Sequence, residues 1–276
     1  MSEHSMRPAE RGARRPRLVA TDLDGTLLGP DGRVSPRTAR AAARVESAGV
    51  PLVLVTGRPP RWLGAVGEQL DHRGIAVCAN GALTWDLHTG ARVGCDPLDP
   101  QVLAEVTGRL RAELPEATFA VEYGESFLHE ADYPVRWESD NPGVRIGALP
   151  DLLAVPAVKL LVRHKDYDPD ELLARAEQLL GDRVTVTHSS PDGLLEISAA
   201  GITKASGLAA VARVRGVDAD DVLVFGDMPN DLPMFAWAGR CVAVANAHPA
   251  VLAAADDVTG SNAEDGVAAY LETLFR

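Results

Sequence analysis

Leu18-Val19-Ala20-Thr21-Asp22-Leu23-Asp24-Gly25-Thr26 is the stretch that decides how this chain folds. An apolar run ends on two carboxylates that stand two residues apart. In a strand, positions i and i+2 face the same way. A strand buried on both faces reads as an unbroken apolar run, and ligands of open α/β sheets sit beyond the carboxyl ends of the strands. The stretch therefore predicts a buried parallel strand over Arg17–Thr21 that delivers Asp22 and Asp24 to the edge where such sheets do chemistry. Neighbouring carboxylates repel and call for a cation or a shared proton. One suits a nucleophile or metal ligand, the other a general acid/base. An ordinary Asp-Gly-Thr turn is the alternative that these residues alone leave open.

Outward from this point the same rhythm repeats. Ser35-Pro36 reads as an N-cap with proline at the first helical position, opening a helix through Ser47 that stops at Gly49. Pro51–Val55 is a second buried strand, followed by Thr56-Gly57-Arg58. A helix is predicted over Pro59–Leu70 and a third strand over Ile75–Ala79, ending at Asn80-Gly81-Ala82. Strands alternating with helices imply a doubly wound parallel sheet. After residue 82 the rhythm changes to hairpins, at Leu83–Cys95 and at Thr118–His129, with further strands at Val158–Arg163, Val184–His188 and Leu194–Ser198 and a helix at Pro169–Leu180. This reads as an α+β module on an antiparallel sheet. From Lys204 the βα rhythm returns, with strands at Val222–Phe225 and Cys241–Val244. The expected organisation is an Arg-rich, disordered leader over residues 1–16, an α/β core over 17–82 and 200–276, and an inserted module over 83–199.

Composition sets limits on function. The chain has 276 residues, 46% of them hydrophobic, enough for a sizeable core. Residues 1–17 carry five arginines and two glutamates without an apolar h-region, so a secretory signal is not expected. No stretch approaches the ~18 apolar residues of a membrane span. Three isolated cysteines suit a reducing cytoplasm. Between Thr84 and Glu196 there are 21 acidic and 10 basic residues, against 18 and 17 elsewhere. The net charge of −12 thus lies almost wholly in the insert, and nothing resembles the basic footprint of a nucleic-acid binder.

Three further signals fall at predicted strand ends or helix starts. Thr56-Gly57-Arg58 offers a hydroxyl and backbone N–H groups for an oxyanion. Gly226-Asp227-Met228-Pro229-Asn230-Asp231 adds two carboxylates and an amide. Lys204 opens a helix. The chain has 24 arginines and only three lysines, Lys159, Lys165 and Lys204, so a lysine at such a place suggests a need for a compact ammonium. Carboxylates, lysine, threonine and a Gly-containing turn at one sheet edge suit phosphoryl transfer, with Mg²⁺ as the hard cation.

With these four motifs in order, the chain resembles the haloacid dehalogenase superfamily, and within it the Cof-type sugar-phosphatase branch, whose α/β cap lies between the second and third motifs. The resemblance covers nearly everything from Arg17 onward. It implies that Asp22 is the nucleophile and that Asp24 is the acid and later the base. It implies that an Asp22 oxygen, the Asp24 carbonyl and Asp227 hold Mg²⁺, and that Asp231 orients a metal-bound water or Lys204. Thr56, Gly57, Arg58, Asn80, Asn230 and Lys204 would hold the phosphoryl oxygens of a small phosphorylated metabolite. Asn80-Gly81-Ala82 and Asn246-Ala247 also match the branch. One departure is Ala205, where the branch usually has glycine after the lysine. The acidic insert further suggests a leaving group that is not polyanionic, with Glu122, Tyr123, Arg136 and Trp137 as candidate inner-face residues. A phosphomutase of the phosphomannomutase type is the nearest rival; it would need a second phosphate site, for which Arg136, Arg145 and Arg163 are available. A non-catalytic phosphate-ligand binder is the rival from outside enzymes.

Overall fold

The computed structural model describes residues 15–135, 142–188 and 193–276. Its strands are β1 (Leu18–Thr21), β2 (Leu52–Val55), β3 (Ile75–Cys78), β4 (Leu83–Asp86), β5 (Ala91–Cys95), β6 (Thr118–Glu122), β7 (Phe127–His129), β8 (Val144–Ile146), β9 (Lys159–Arg163), β10 (Val184–Thr187), β11 (Leu194–Ala199), β12 (Val222–Gly226), β13 (Arg240–Val244) and β14 (Asp257–Thr259). The main sheet runs in the order β14-β13-β12-β1-β2-β3-β4-β5, and a second sheet in the order β10-β11-β9-β6-β7-β8. The expected α/β architecture with an α+β insert is the one observed. By contacts the chain forms two compact units: residues up to Val55 with Ala65–Ile75 and Leu208–Arg276, and Thr56–Gly64 with Ala76–Gly207.

In the first unit, β1 lies between β12 and β2 and is parallel to both, with Ala20 level with Val224 and Val53. Every residue of β1, β2 and β12 is buried, which is why these strands read as unbroken apolar runs. The helix Pro36–Ser47 starts as its sequence dictates, with Ser35 Oγ accepting from Thr38 N at 3.1 Å and Pro36 needing no donor. Its buried stripe of Thr38, Ala41, Ala42 and Val45 packs beside the C-terminal helix Gly266–Leu274.

In the second unit, helices Pro100–Glu113 and Pro169–Leu180 cover one face of the six-stranded sheet. Leu103, Leu110, Leu172 and Leu180 meet Phe119, Leu160, Val162, Leu195 and Ile197 there. Each such side chain contributes about 1.5–3 kcal/mol on burial. Strand alternation then forces the neighbours of these residues to the other face. That face carries Glu122, Lys159, Arg163, Glu196 and Ser198, and all five are buried as well.

Several expectations change in detail. The second sheet is mixed rather than antiparallel, because the short strand β8 pairs parallel to β7. Strands β8 and β14 are only three residues long and carried no periodic signal. The helix expected over Pro59–Leu70 is a tight turn at Pro60–Trp62 followed by Gly64–Gln69, since two prolines and two glycines weaken a continuous helix. Tyr123 is not on the polar face: it packs against the apolar core and its hydroxyl donates to the Leu152 carbonyl at 2.5 Å. Arg136 and Trp137 lie outside the described residues. Among the described residues no helix is long and apolar enough to cross a membrane.

Candidate active site

Because β1 and β12 are neighbours, Asp22 and Asp227 emerge side by side at their carboxyl ends. Asp22 N donates to the Phe225 carbonyl at 3.0 Å, which continues the ladder one step past β1. The chain then makes one wide helical turn over Leu23–Leu27, with Leu28 N on Leu23 O at 2.9 Å. Asp22, Asp227 and Asp231 are buried, and one carboxylate oxygen from each lies within 4.8 Å of the other two. Asp24, two residues on, is exposed.

The cluster is held from all sides. Thr26 Oγ1 donates to Asp227 Oδ1 at 2.6 Å. Asp231 Oδ2 accepts from Asp227 N at 2.9 Å and Met228 N at 3.0 Å, so this carboxylate shapes the turn that carries Asp227. Gly25 has φ +78°, and a Cβ there would collide with the Asp227 carboxylate; only glycine satisfies both demands. Asn246 braces the same turn, its Nδ2 donating to Gly25 O at 2.8 Å while its Oδ1 accepts from Asn262 N at 2.9 Å. Asn230 is buried in the turn between Asp227 and Asp231. Three buried carboxylates in mutual reach are costly unless a cation offsets them. An all-oxygen donor set of this kind fits a hard divalent ion such as Mg²⁺.

In the second unit, Thr56 is fully buried and its Oγ1 accepts from Arg58 N at 3.0 Å. This turn is laced to the one after β3: Asn80 N donates to Thr56 O at 3.1 Å and Ala79 N to Arg58 O at 3.0 Å. Asn80 takes a left-handed conformation, φ +57°, which asparagine tolerates. Lys204 is buried at the start of helix Lys204–Val214. That helix approaches the Asn80-Gly81 turn closely: a Cβ on Gly207 would stand 2.9 Å from Gly81 Cα, and a Cβ on Gly81 would strike the Thr203 carbonyl. Gly207 thus provides the close packing, and Ala205 is no obstacle to it.

A family model described as haloacid dehalogenase-like hydrolase matches residues 19–271. The chain belongs to the haloacid dehalogenase-like hydrolases. This hydrolase is 28% identical over 272 residues to the 5-amino-6-(5-phospho-D-ribitylamino)uracil phosphatase YitU of Bacillus subtilis, spanning 95% of this chain and 98% of that protein. It is also 28% identical to the pyridoxal phosphate phosphatase YbhA of Escherichia coli, over 92% and 97% of the two chains. The structure of SMU.1108c from Streptococcus mutans superposes with a TM-score of 0.82 at 21% identity, over 94% and 98% of the two chains, and so shares its fold. The Cof-type resemblance read from the four motifs is borne out.

Lys159, Glu196 and Arg61 had no role in the sequence reading, whereas Glu122 was a candidate there. Lys159 Nζ pairs with Glu196 and donates to the Gly57 carbonyl at 2.7 Å. Arg61 Nη1 donates to Glu122 Oε1 at 2.6 Å and to Gly124 O at 3.2 Å. The available signal was charge at alternate positions of strands whose other positions are core. The insert's acidity proves to lie elsewhere. Glu105, Glu113, Glu116 and Glu171 are in solvent-facing pairs with Arg109, Arg175 and Lys165. Among the described residues, the buried polar face of this sheet balances Glu122 and Glu196 against Lys159 and Arg163. Of the arginines a mutase would need, Arg145 is exposed, Arg163 lies 5.9 Å from the Tyr133 ring, and Arg136 is outside the described residues.

Proposed function

We propose that this hydrolase is a Mg²⁺-dependent phosphatase that cleaves a small phosphomonoester through an aspartyl-phosphate on Asp22. The observation that carries the reading is the buried convergence of Asp22, Asp227 and Asp231, with the exposed Asp24 two residues from the nucleophile. Curated relatives that match over nearly their whole length are phosphatases of a ribitylaminouracil phosphate and of pyridoxal phosphate. Both substrates are monoesters of modest size, and a metabolite of that class, sugar phosphates included, is the proposed substrate.

In this reading an Asp22 oxygen attacks phosphorus in line, forming the Asp22 O–P bond as the P–O ester bond breaks. Asp24 gives its proton to the departing alkoxide. Asp24, now a carboxylate, takes a proton from the water that attacks phosphorus and frees Asp22. The Thr56 hydroxyl, Lys204, Asn80, Asn230 and the N–H groups of Gly57 and Arg58 hold the phosphoryl oxygens. Asp22, the Asp24 carbonyl and Asp227 would hold the metal, Asp231 would orient its surroundings, and the cation would supply charge neutralisation of the phosphoryl group. Residues 83–199 are the inserted cap module in this reading and residues 17–82 and 200–276 the core, with the hairpin β4–β5 of the insert extending the main sheet. Three free cysteines suit a reducing compartment, and the cytoplasm is the proposed location.

The test is Asp22→Asn, assayed by phosphate release from a panel of sugar phosphates, pyridoxal phosphate and flavin mononucleotide. A folded variant with turnover reduced at least ~10³-fold is expected, since an amide is a poor nucleophile. Substantial release by that variant, or no release from any ester by the wild type with Mg²⁺, refutes the reading.

A further inference from the structure

Lys159 and Glu196 have no part in the reaction described so far, yet both are buried on the polar face of the six-stranded sheet. Glu122 stands directly opposite Lys159 in the β6–β9 register, and Arg61 pairs with Glu122. Charges therefore alternate along Arg61, Glu122, Lys159 and Glu196. Taking four charges out of water is costly, and apolar residues of the same volume would hold a sheet at least as well. The row is better explained by what it grips, because both of its cations reach between the sheet and the segment that follows Thr56.

The grip of Lys159 is on one peptide unit. The Gly57 carbonyl accepts from Lys159 Nζ at 2.7 Å, and the N–H of the same peptide, that of Arg58, donates to Thr56 Oγ1 at 3.0 Å. A trans peptide is planar, with C=O and N–H pointing opposite ways. Fixing the oxygen therefore fixes the direction of the N–H, and with it the Thr56 hydroxyl that accepts from it. With a lone pair of Oγ1 engaged, the single hydroxyl proton is left to donate elsewhere. An ammonium on the carbonyl also polarises the peptide and strengthens its N–H as a donor. The need is for a compact cation that reaches a backbone oxygen, and the chain uses one of its three lysines here against 24 arginines.

We infer that Lys159, held by Glu196, is a positioning residue that locks the Gly57–Arg58 peptide and so aims the Thr56 hydroxyl at a phosphoryl oxygen of the substrate. This rests on the phosphatase reading for its consequence, and on the peptide geometry for its cause. The test uses the full chain carrying Lys159→Met together with Glu196→Leu, which removes both charges at near-constant volume and keeps the fold. Hydrolysis of p-nitrophenyl phosphate is expected to lose about 30- to 100-fold in kcat, as for a misplaced reactive geometry, with KM within about threefold. Adding Thr56→Ala to this variant is expected to cost less than about threefold more, because residues acting through one another are not additive. Amide exchange in the peptide spanning residues 56–60 is expected to quicken about tenfold or more while that of the apolar core strands stays fixed. Glu196→Gln, which keeps shape and an acceptor, should show the same pattern at roughly three- to tenfold in kcat. Unchanged exchange at residues 56–60 in a folded variant overturns the inference, as does full additivity with Thr56→Ala. A wild type without phosphatase activity sinks only the phosphatase reading, since the exchange measurement still decides whether Lys159 holds this peptide.

Discussion

Asp227→Asn is expected to make the metal-free protein more stable while removing its response to Mg²⁺. One oxygen from each of Asp22, Asp227 and Asp231 lies within 4.8 Å of the others. At an effective dielectric of about 20, two unit charges about 4.8 Å apart repel by about 3.5 kcal/mol. Neutralising Asp227 removes two of the three pairwise repulsions, about 7 kcal/mol gross on that same scale. Hydrogen bonds already offset part of this: Thr26 Oγ1 donates to Asp227, and two backbone N–H groups donate to Asp231. The amide oxygen of asparagine keeps the Thr26 bond. A net gain of about 2 kcal/mol is expected, or about 4–8 °C in Tm at the 2–4 °C per kcal/mol of a domain of this size. For the wild type, Mg²⁺ at about a hundred times its Kd adds about 2.7 kcal/mol, a rise of similar size. The assay is thermal melting of both proteins in chelator and in Mg²⁺. An Asp227→Asn protein that melts below the wild type in chelator, or that keeps the wild-type rise with Mg²⁺, refutes the argument that the carboxylates are a strained cation site.

Asp24→Ala should slow alkyl phosphates far more than p-nitrophenyl phosphate, whose leaving group needs no proton; equal losses in kcat on the two esters contradict the acid role. Thiol alkylation near pH 8, mapped by mass, should modify exposed Cys95 first, because burial pushes the Cys78 and Cys241 thiols up to about 12. Early labelling of Cys78 would show that the β3 end opens in the native state. Burial, working against nearby Arg73, raises the Glu46 carboxyl above its usual range. A carboxyl raised by folding costs stability once it ionises, so the penalty is absent below the unfolded pKa near 4.5 and grows as pH rises through the folded value. Glu46→Gln should therefore raise Tm at pH 7 and lose that advantage near pH 4, and a Tm gain that persists unchanged at pH 4 contradicts the burial argument.

The sequence by itself determined the main sheet and its reactive edge. Strands β1, β2 and β12 are buried on both faces, so their runs are unbroken, and each run hands over directly to Asp22, Thr56 or Asp227. Local signals of this kind survive in one dimension because a strand and the turn that follows it are contiguous in the chain. The cap at Ser35 was legible for the same reason, since it meets a need of its own backbone. Tertiary structure alone decided which distant groups meet. Asp231 was expected at the metal site only through the resemblance; its approach to within 4.8 Å of Asp22, across more than 200 residues of chain, follows from β1 pairing with β12. Gly207 makes a close approach that its own neighbours in the chain do not call for, because the contact is with Gly81 on another turn. Lys159 and Glu196 sit in strands whose composition says only that one face is polar. Whether a polar face meets solvent or a buried backbone carbonyl depends on what folds over it, and no local pattern in the chain encodes that.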